Sequence, residues 1–181
     1  MSKDNNDPAT LAVIKEKIIA VPDWPEAGVT FRDITPLLGD PELFRATIDR
    51  LAVLLAGKKI DKIVGLDARG FIFASALAYK LGTGLVLARK KGKLPREAIA
   101  RNYGLEYGKA TLEIHADSIK AGENILIVDD VLATGGTMAA AAAIVEELKG
   151  NIIELLFLIE LPALRGREKL EGYDIRAMLE F

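Results

Sequence analysis

From residue 59 onward, short apolar runs rich in β-branched residues alternate with segments of helical spacing. Apolar runs such as Ile-Leu-Ile-Val are typical of parallel strands buried on both faces. Alternation of this kind predicts an α/β fold, a mainly parallel twisted sheet flanked by helices. The predicted strands are residues 60–66, 85–88, 125–128, 152–159 and 173–179, and the predicted helices are residues 71–81 and 136–148.

Two further helices are predicted before this alternation. Apolar residues recur at helical spacing from Leu11 to Ile19 and then meet a loop bounded by prolines. The second helix is expected to begin behind Asp40, whose side chain can cap it, with Pro41 at the first helical position, and to run toward Gly57.

Residues 89–120 break the alternation. They contain many basic residues and the alternating pair Leu112 and Ile114, which predicts a long excursion with its own hairpin. Long loops of compact domains are often functional lids, so we expect a flexible hairpin lid here. The chain shows neither an internal repeat nor a linker, and a single domain over residues 1–181 is predicted.

Composition excludes several classes of function. With 24 basic and 26 acidic side chains, the chain has no overall positive field for nucleic acid or a membrane surface. The absence of cysteine excludes disulfides, thiolate nucleophiles and cysteine zinc sites, and a single histidine, His115, argues against Ser-His catalysis. The amino terminus is polar and no apolar run approaches the roughly 20 residues of a membrane span. A cytoplasmic protein is expected.

The most informative segment is residues 125–137, where a predicted buried strand leads into a loop of small residues that opens a helix. Glycines let backbone N–H groups converge on an oxyanion, threonines add hydroxyl donors, and the helix contributes its positive end. The segment predicts a phosphate-binding loop formed by Ala133, Thr134, Gly135, Gly136 and Thr137.

Two adjacent carboxylates, Asp129 and Asp130, stand just before this loop. They would repel a phosphate unless they bind something else, and vicinal ribose hydroxyls or a divalent cation are the natural candidates. A ribose 5-phosphate satisfies both the loop and the carboxylates. The segment lacks the Gly-Lys-Ser/Thr of a Walker A loop and the Gly-x-Gly-x-x-Gly of a dinucleotide fold.

Residues 128–137 resemble the phosphoribosyl pyrophosphate motif of type I phosphoribosyltransferases. Nearly the whole chain is similar to the adenine-specific branch of that family, through residues 28–36, 65–71, 89–95, 105–109 and 166–170. The resemblance implies the type I fold with a small N-terminal hood (about residues 1–36) and a lid (about residues 89–120). It also implies transfer of the 5-phosphoribosyl group from phosphoribosyl pyrophosphate to adenine, giving AMP and pyrophosphate in purine salvage, with Mg²⁺ held largely by the substrate near Asp129 and Asp130.

The resemblance implies that Asp67, Ala68, Arg69 and Gly70 form a pyrophosphate loop. From the residues alone, Gly70 permits close approach of the backbone and Arg69 offers a fork of donors to an anion. An ordinary surface ion pair between Arg69 and Asp67 is the alternative.

The densest positive run lies between residues 89 and 96 and is the obvious site for a strongly charged ligand. The resemblance implies that Arg89, Lys90 and Lys93 approach pyrophosphate. It also implies that Arg89 reaches the neighbouring subunit's site, and therefore a homodimer. A solvated loop or a nucleic-acid patch are the alternatives, although this loop has no interleaved aromatic residues for stacking.

Base recognition is assigned by the resemblance to residues distant in sequence. It implies that the Phe31 ring packs on adenine, that backbone groups of Thr30 to Arg32 read its edge, and that Leu161 covers its other face. From the residues alone, Phe31 could equally be a core residue.

The resemblance further implies that Glu106 takes or stabilises the imidazole proton of adenine and that Tyr107 belongs to the closing lid. With Arg69, Asp129 and Asp130, Glu106 completes the predicted catalytic set. Without the resemblance, Glu106 and Tyr107 would read as an exposed pair on a hairpin, and His115 as a structural residue.

Three alternative functions remain open. A sister enzyme acting on 6-oxopurines would share the phosphate loop. A regulatory protein could use the same fold to sense the sugar phosphate and bind RNA or DNA. A phosphoribosyl diphosphate synthetase would need an ATP site, for which this chain offers no obvious segment.

Overall fold

The computed structural model describes residues 8–104 and 109–181. The contacts of the chain divide it into two compact units, Met1–Ala56 and Gly57–Phe181. Among the described residues, no helix combines the length and hydropathy that a bilayer crossing needs.

The first unit contains three helices and a two-stranded antiparallel sheet within its described part. The prediction that the first helix continues to Ile19 is wrong. The helix ends at Glu16, and Ile19 pairs with Asp33 in the small sheet. The run Ile-Ile-Ala-Val is rich in β-branched residues, and its strand partner lies too far along the chain for helical spacing to reveal it. The elements are α1 (Pro8–Glu16), β1 (Ile19–Val21), β2 (Phe31–Asp33), α2 (Thr35–Leu38) and α3 (Pro41–Leu54).

The cap predicted for the third of these helices is confirmed. The Asp40 carboxylate accepts hydrogen bonds from the backbone N–H groups of Glu42 (3.2 Å) and Leu43 (3.1 Å), and Pro41 occupies the first turn. These bonds satisfy two of the donors that a helix start leaves without partners. The apolar face of α3 buries Ile48 and Leu51.

The second unit is built on a seven-stranded sheet in the order β5-β6-β4-β3-β7-β8-β9. The five strands from β4 to β9 along this order are mutually parallel, whereas β5 and β6 form an antiparallel hairpin at the edge. The prediction of a mainly parallel sheet is confirmed, and the predicted hairpin is formed by β5 and β6, which extend the sheet beyond β4. The strands are β3 (Lys62–Leu66), β4 (Gly84–Lys90), β5 (Ala98–Gly104), β6 (Lys109–His115), β7 (Asn124–Leu132), β8 (Asn151–Glu160) and β9 (Ile175–Glu180).

Two helices pack on this sheet. Helix α4 (Gly70–Leu81) packs against β3 and β7, while α5 (Gly136–Glu147) packs against β5, β6 and β8. Gly65 in β3 allows α4 to approach closely, because a Cβ atom there would lie 2.7 Å from Cβ of Ala74. Apolar side chains of the strands and of α5 form the core, among them Ile127, Ile144 and Phe157.

The structure changes one boundary that matters for function. Strand β7 continues four residues beyond its predicted end, because Asp129 and Leu132 still pair with Phe157 and Glu160 of β8. Asp129 and Asp130 therefore belong to the last four residues of strand β7 and do not follow the strand. Two 3-10 turns that the sequence did not reveal, Pro162–Leu164 and Gly166–Leu170, follow β8.

Candidate active site

The predicted phosphate loop lies between the end of β7 and the start of α5. Gly135 precedes the helix in a left-handed conformation with φ of 77°, and the helix begins at Gly136. The whole loop, together with Asp129 and Phe157, lines a cavity of about 70 Å³. The structure thus brings the glycine-threonine loop, a helix N-terminus and a carboxylate to one hollow at the carboxyl edge of the sheet, where open α/β sheets bind ligands.

A glycine from another segment, Gly166, packs against this loop. A Cβ atom on Gly135 would lie 2.4 Å from the carbonyl oxygen of Gly166, and one on Gly166 would lie 2.3 Å from the carbonyl oxygen of Ala133. Real Cβ contacts are never this short, so only glycine fits at either position without a shift of backbone. Backbone of the segment Gly166–Leu170 therefore packs directly against backbone of the loop.

The two aspartates differ in their surroundings. Asp130 is only 4% exposed, and its carboxylate is paired with Nε of Arg69. The Asp129 carboxylate accepts a hydrogen bond of 2.9 Å from the backbone N–H of Asp130. The pKa of Asp129 is raised well above its usual value, mainly because burial removes the carboxylate from water and also because the Asp130 carboxylate repels its charge.

The alternative that Arg69 pairs with Asp67 finds no support, since Asp67 instead lies 3.4 Å from Nε of Arg89. The loop that carries Arg69 approaches β7 closely. A Cβ atom on Gly70 would lie 2.8 Å from Oδ1 of Asp129 and 2.9 Å from the carbonyl oxygen of Val128. The peptide between Asp67 and Ala68 in this loop is cis.

The positive run begins at the end of β4. Arg89 turns back toward its own chain, with Nη1 donating to the carbonyl oxygen of Lys93 at 3.3 Å, and the Lys90 and Lys93 side chains are exposed. Next to them lies a cavity of about 340 Å³ that is lined by Arg89, Lys93 and His115 among others. Nδ1 of His115 lies 3.3 Å from the carbonyl oxygen of Glu97.

The residues expected to bind the base fall in different units. Phe31 and Arg32 lie half-buried in β2 after the exposed Thr30, and the Phe31 ring meets Trp24 edge-on at a centroid distance of 4.5 Å. Leu161 belongs to the second unit, where its backbone N–H donates to the carbonyl oxygen of Leu132 (2.9 Å) and so lies next to the start of the phosphate loop.

Comparison with known proteins identifies the family. A family model described as a phosphoribosyl transferase domain matches residues 37–176. An adenine phosphoribosyltransferase of Clostridium botulinum (strain Hall) is 52% identical over 168 residues, which is 93% of this chain and 98% of the relative. This chain belongs to the adenine phosphoribosyltransferase family.

Solved structures agree with this placement. The crystal structure of the family member from Thermoanaerobacter pseudethanolicus is 49% identical, covers 94% of this chain and 99% of its own, and superposes with a TM-score of 0.93. A Saccharomyces cerevisiae adenine phosphoribosyltransferase, solved with an imino-altritol bisphosphate and adenine, is 41% identical over 96% of this chain and the whole of its own, with a TM-score of 0.90. The predicted type I phosphoribosyltransferase fold is therefore confirmed.

Two of the residues predicted for this phosphoribosyltransferase, Glu106 and Tyr107, lie outside the described residues. Their assignments stay predictions.

A buried ion pair next to the phosphate loop was not predicted. Glu160, at the end of β8, is 5% exposed and accepts two hydrogen bonds from the Arg167 guanidinium. The sequence signal was an ionisable residue directly after the apolar run of residues 155–159, with an arginine seven residues later. That separation matches neither helical nor strand spacing, so the pair is visible only in the fold.

No group of three or more acidic, histidine or cysteine side chains within residues 8–104 and 109–181 is arranged to hold a metal by itself. The donor set nevertheless fits a Mg²⁺ ion shared with a substrate of this phosphoribosyltransferase. Asp129 and Asp130 are adjacent hard oxygen donors, and the burial and repulsion that raise the pKa of Asp129 disfavour its ionised form, a cost that a nearby cation would offset.

Proposed function

We propose that this chain transfers the 5-phosphoribosyl group of phosphoribosyl pyrophosphate to adenine, releasing pyrophosphate and forming AMP for purine salvage. One observation carries the proposal: a glycine-threonine loop at the start of α5 and the carboxylates of Asp129 and Asp130 meet at one edge of the sheet. This pairing suits a ligand that joins a phosphate to a sugar with vicinal hydroxyls. The names of the relatives, at 52% identity over nearly their whole length, support adenine as the base.

The 5′-phosphate would bind in the loop of residues 133–137. These residues line the cavity at the N-terminus of α5, where backbone N–H groups and the helix dipole favour an anion. Thr134 and Thr137 add hydroxyl donors. Anchoring the phosphate fixes the sugar relative to the strand end, which orients C1′ for attack by the base.

Cleavage of the bond between C1′ and the pyrophosphate oxygen leaves a sugar with oxocarbenium character. Asp129 and Asp130 would hold the ribose hydroxyls, and their negative charge stabilises the positive charge that develops on the ring. When bound with the donor, Mg²⁺ would neutralise pyrophosphate charge, with Asp129 and Asp130 as the protein groups closest to it. Removal of water from the closed site would protect the sugar cation from hydrolysis.

The leaving pyrophosphate needs cationic partners. Arg69 on the loop of residues 67–70 and the group Arg89, Lys90 and Lys93 are the proposed ones. Nε of Arg89 lies 3.4 Å from Asp67, and Arg69 is paired with Asp130. We propose that the protein is a homodimer in which Arg89 leaves Asp67 and reaches the neighbouring site.

Adenine recognition is assigned to Phe31, to backbone groups of Thr30 to Arg32, and to Leu161. The edge-on contact with Trp24 holds the Phe31 ring in one orientation, which suits a residue that stacks on a flat base. Glu106 is the proposed acid-base group for the imidazole proton, and Tyr107 the proposed lid residue. A cytoplasmic location stays a prediction.

Incubation with phosphoribosyl pyrophosphate, Mg²⁺ and each purine base in turn tests the proposal. We expect AMP and pyrophosphate from adenine, with kcat/KM for hypoxanthine, guanine and xanthine lower by at least about a hundredfold, because their 6-oxo group presents the wrong hydrogen-bonding pattern to the site. Preference for a 6-oxopurine would replace the proposal with the sister activity. Absence of any product, together with a gel shift of RNA or DNA at physiological salt, would favour the regulatory alternative.

A further inference from the structure

Strand β8 ends on a buried charge that the proposed reaction does not use. Glu160 is 5% exposed, and Arg167 holds it with both sides of its guanidinium, Nε to Oε1 at 2.7 Å and Nη2 to Oε2 at 2.6 Å. The pair raises the pKa of Arg167 through the hydrogen bond to Glu160. Two parallel bonds of this kind fix both the distance and the angle between the elements that carry them.

Arg167 belongs to the 3-10 turn Gly166–Leu170, the segment that supports the phosphate loop from behind. The contact between them is backbone against backbone, with Gly166 next to both Ala133 and Gly135. A shift of this turn by a few tenths of an ångström would therefore be passed directly to the loop. Besides its pair with Glu160, Arg167 donates through Nη1 to the carbonyl oxygen of Ile175 in β9 at 3.3 Å, and Leu170 at the other end of the turn is buried in the core. The Arg167 side chain therefore joins the Gly166 end of the turn to the ends of two strands.

The ion pair completes a ring of contacts around the loop. The backbone N–H of Leu161, the residue after Glu160, donates to the carbonyl oxygen of Leu132, the residue before Ala133. One end of the loop is thus fixed to the end of β8 by a backbone bond. The turn that begins at Gly166 packs against the loop, and the ion pair between Glu160 and Arg167 joins this turn to the same end of β8.

We propose that Arg167 is a positioning residue for the 5′-phosphate: by holding the Gly166 turn onto Glu160, it sets the shape of the phosphate loop without touching the ligand. The inference rests on the proposed function, since it concerns how the same loop binds its phosphate. Burial of an ionised carboxylate is costly, so a fully satisfied pair at this place is better explained by precise placement of the loop than by stability alone.

The chain contains a matched control on the same strand. Glu154, near the opposite end of β8, is 1% exposed and accepts a hydrogen bond of 2.6 Å from Nε of Arg176. The two arginines are similarly exposed, 48% for Arg167 and 42% for Arg176. Glu154 is also held by Lys58 at 2.8 Å, so R176M leaves it one cation. Only the Arg167 pair adjoins the phosphate loop.

The experiment compares R167M and R176M with the wild type by calorimetric titration with ribose 5-phosphate and by steady-state kinetics. We expect R167M to weaken ribose 5-phosphate binding and to raise KM for phosphoribosyl pyrophosphate by about tenfold or more, with a much smaller change in kcat. R176M should leave both constants within about twofold of wild type. A purely structural role for Arg167 would reduce the active fraction, which lowers apparent kcat and leaves KM unchanged.

R167K supplies the conservative variant. Its ammonium keeps the charge but cannot hold both carboxylate oxygens in a fork, so we expect affinity between those of wild type and R167M. If R167M does not fold, the comparison of R167K with R176K replaces it, and weakened binding in R167K alone supports the inference.

Equal affinities in the Arg167 and Arg176 variants would overturn the inference. The proposed function fails separately, when the wild type makes no AMP from adenine or prefers a 6-oxopurine.

Discussion

Arg69 is paired through Nε with the nearly buried carboxylate of Asp130, so the loop after β3 is tied to strand β7 across the candidate site. The arginine proposed for pyrophosphate and the carboxylate proposed for ribose therefore contact each other directly. A donor that carries both groups would replace this pair with its own contacts.

Replacement of Asp130 by asparagine should impair turnover far more than folding. The amide keeps the shape of the side chain but removes the charge that is proposed to stabilise the sugar cation, and we expect kcat/KM to fall by at least about a hundredfold. Asp117→Asn is the control, because Asp117 forms an exposed pair with Arg96 away from the loop. Steady-state AMP synthesis and thermal unfolding are the measurements. Undiminished AMP synthesis in the Asp130 variant would remove its role.

Asp129→Asn should stabilise the free protein while it abolishes activity. Because folding raises the pKa of Asp129, ionisation of this group costs stability as the pH rises above its unfolded value of about 4. The free energy of unfolding should therefore be about 1 kcal/mol higher for the variant at pH 7. That gain should vanish below about pH 4, where the carboxyl is protonated in both states. Urea titrations at several pH values measure it, and an equal gain at every pH would contradict the cause given.

Gly135→Ala should deform the phosphate loop. The new methyl group would meet the carbonyl oxygen of Gly166 at 2.4 Å, and a φ of 77° is unfavourable for alanine. We expect a loss of about 1 to 3 kcal/mol in the free energy of unfolding and weaker binding of ribose 5-phosphate. Gly39→Ala is the control, since φ there is −75° and its nearest contact would be an ordinary 3.5 Å. Titration calorimetry and chemical unfolding distinguish the two variants, and equal behaviour would refute the clash.

Tyr173 should ionise unusually late. Its hydroxyl donates to Glu146 at 2.7 Å, and desolvation, together with that bond, raises the pKa of Tyr173 to about 12. The protonated Tyr173 hydroxyl contributes fully to the free energy of unfolding at pH values below its unfolded pKa of about 10. This contribution is lost as the pH rises through the pKa that the group has in the folded state. The difference in ultraviolet absorbance between wild type and Tyr173→Phe should therefore show a midpoint near 12. A midpoint near 10 would show that neither the burial of the Tyr173 hydroxyl nor its hydrogen bond to Glu146 persists in solution.

Local patterns predicted the elements that depend on neighbours in sequence. The cap at Asp40 and the phosphate loop before α5 follow from short-range chemistry, and both lie where they were expected. The first helix was extended too far because the pairing of Ile19 with Asp33 is non-local. The end of β7 was placed too early for the same reason, since its last residues are strand only because β8 continues beside them.

The amino-acid sequence by itself determined the α/β class, the parallel core and the small-residue loop. The first two follow from the spacing of apolar residues, and the loop follows from the conformational freedom of glycine over a few positions. Tertiary structure alone decided which charged groups meet. Arg69 selects Asp130 over the nearby Asp67, and Arg167 reaches Glu160 behind the loop. Ion pairs form between side chains that the fold brings within a few ångströms, and that distance depends on how strands and turns pack together rather than on their separation along the chain.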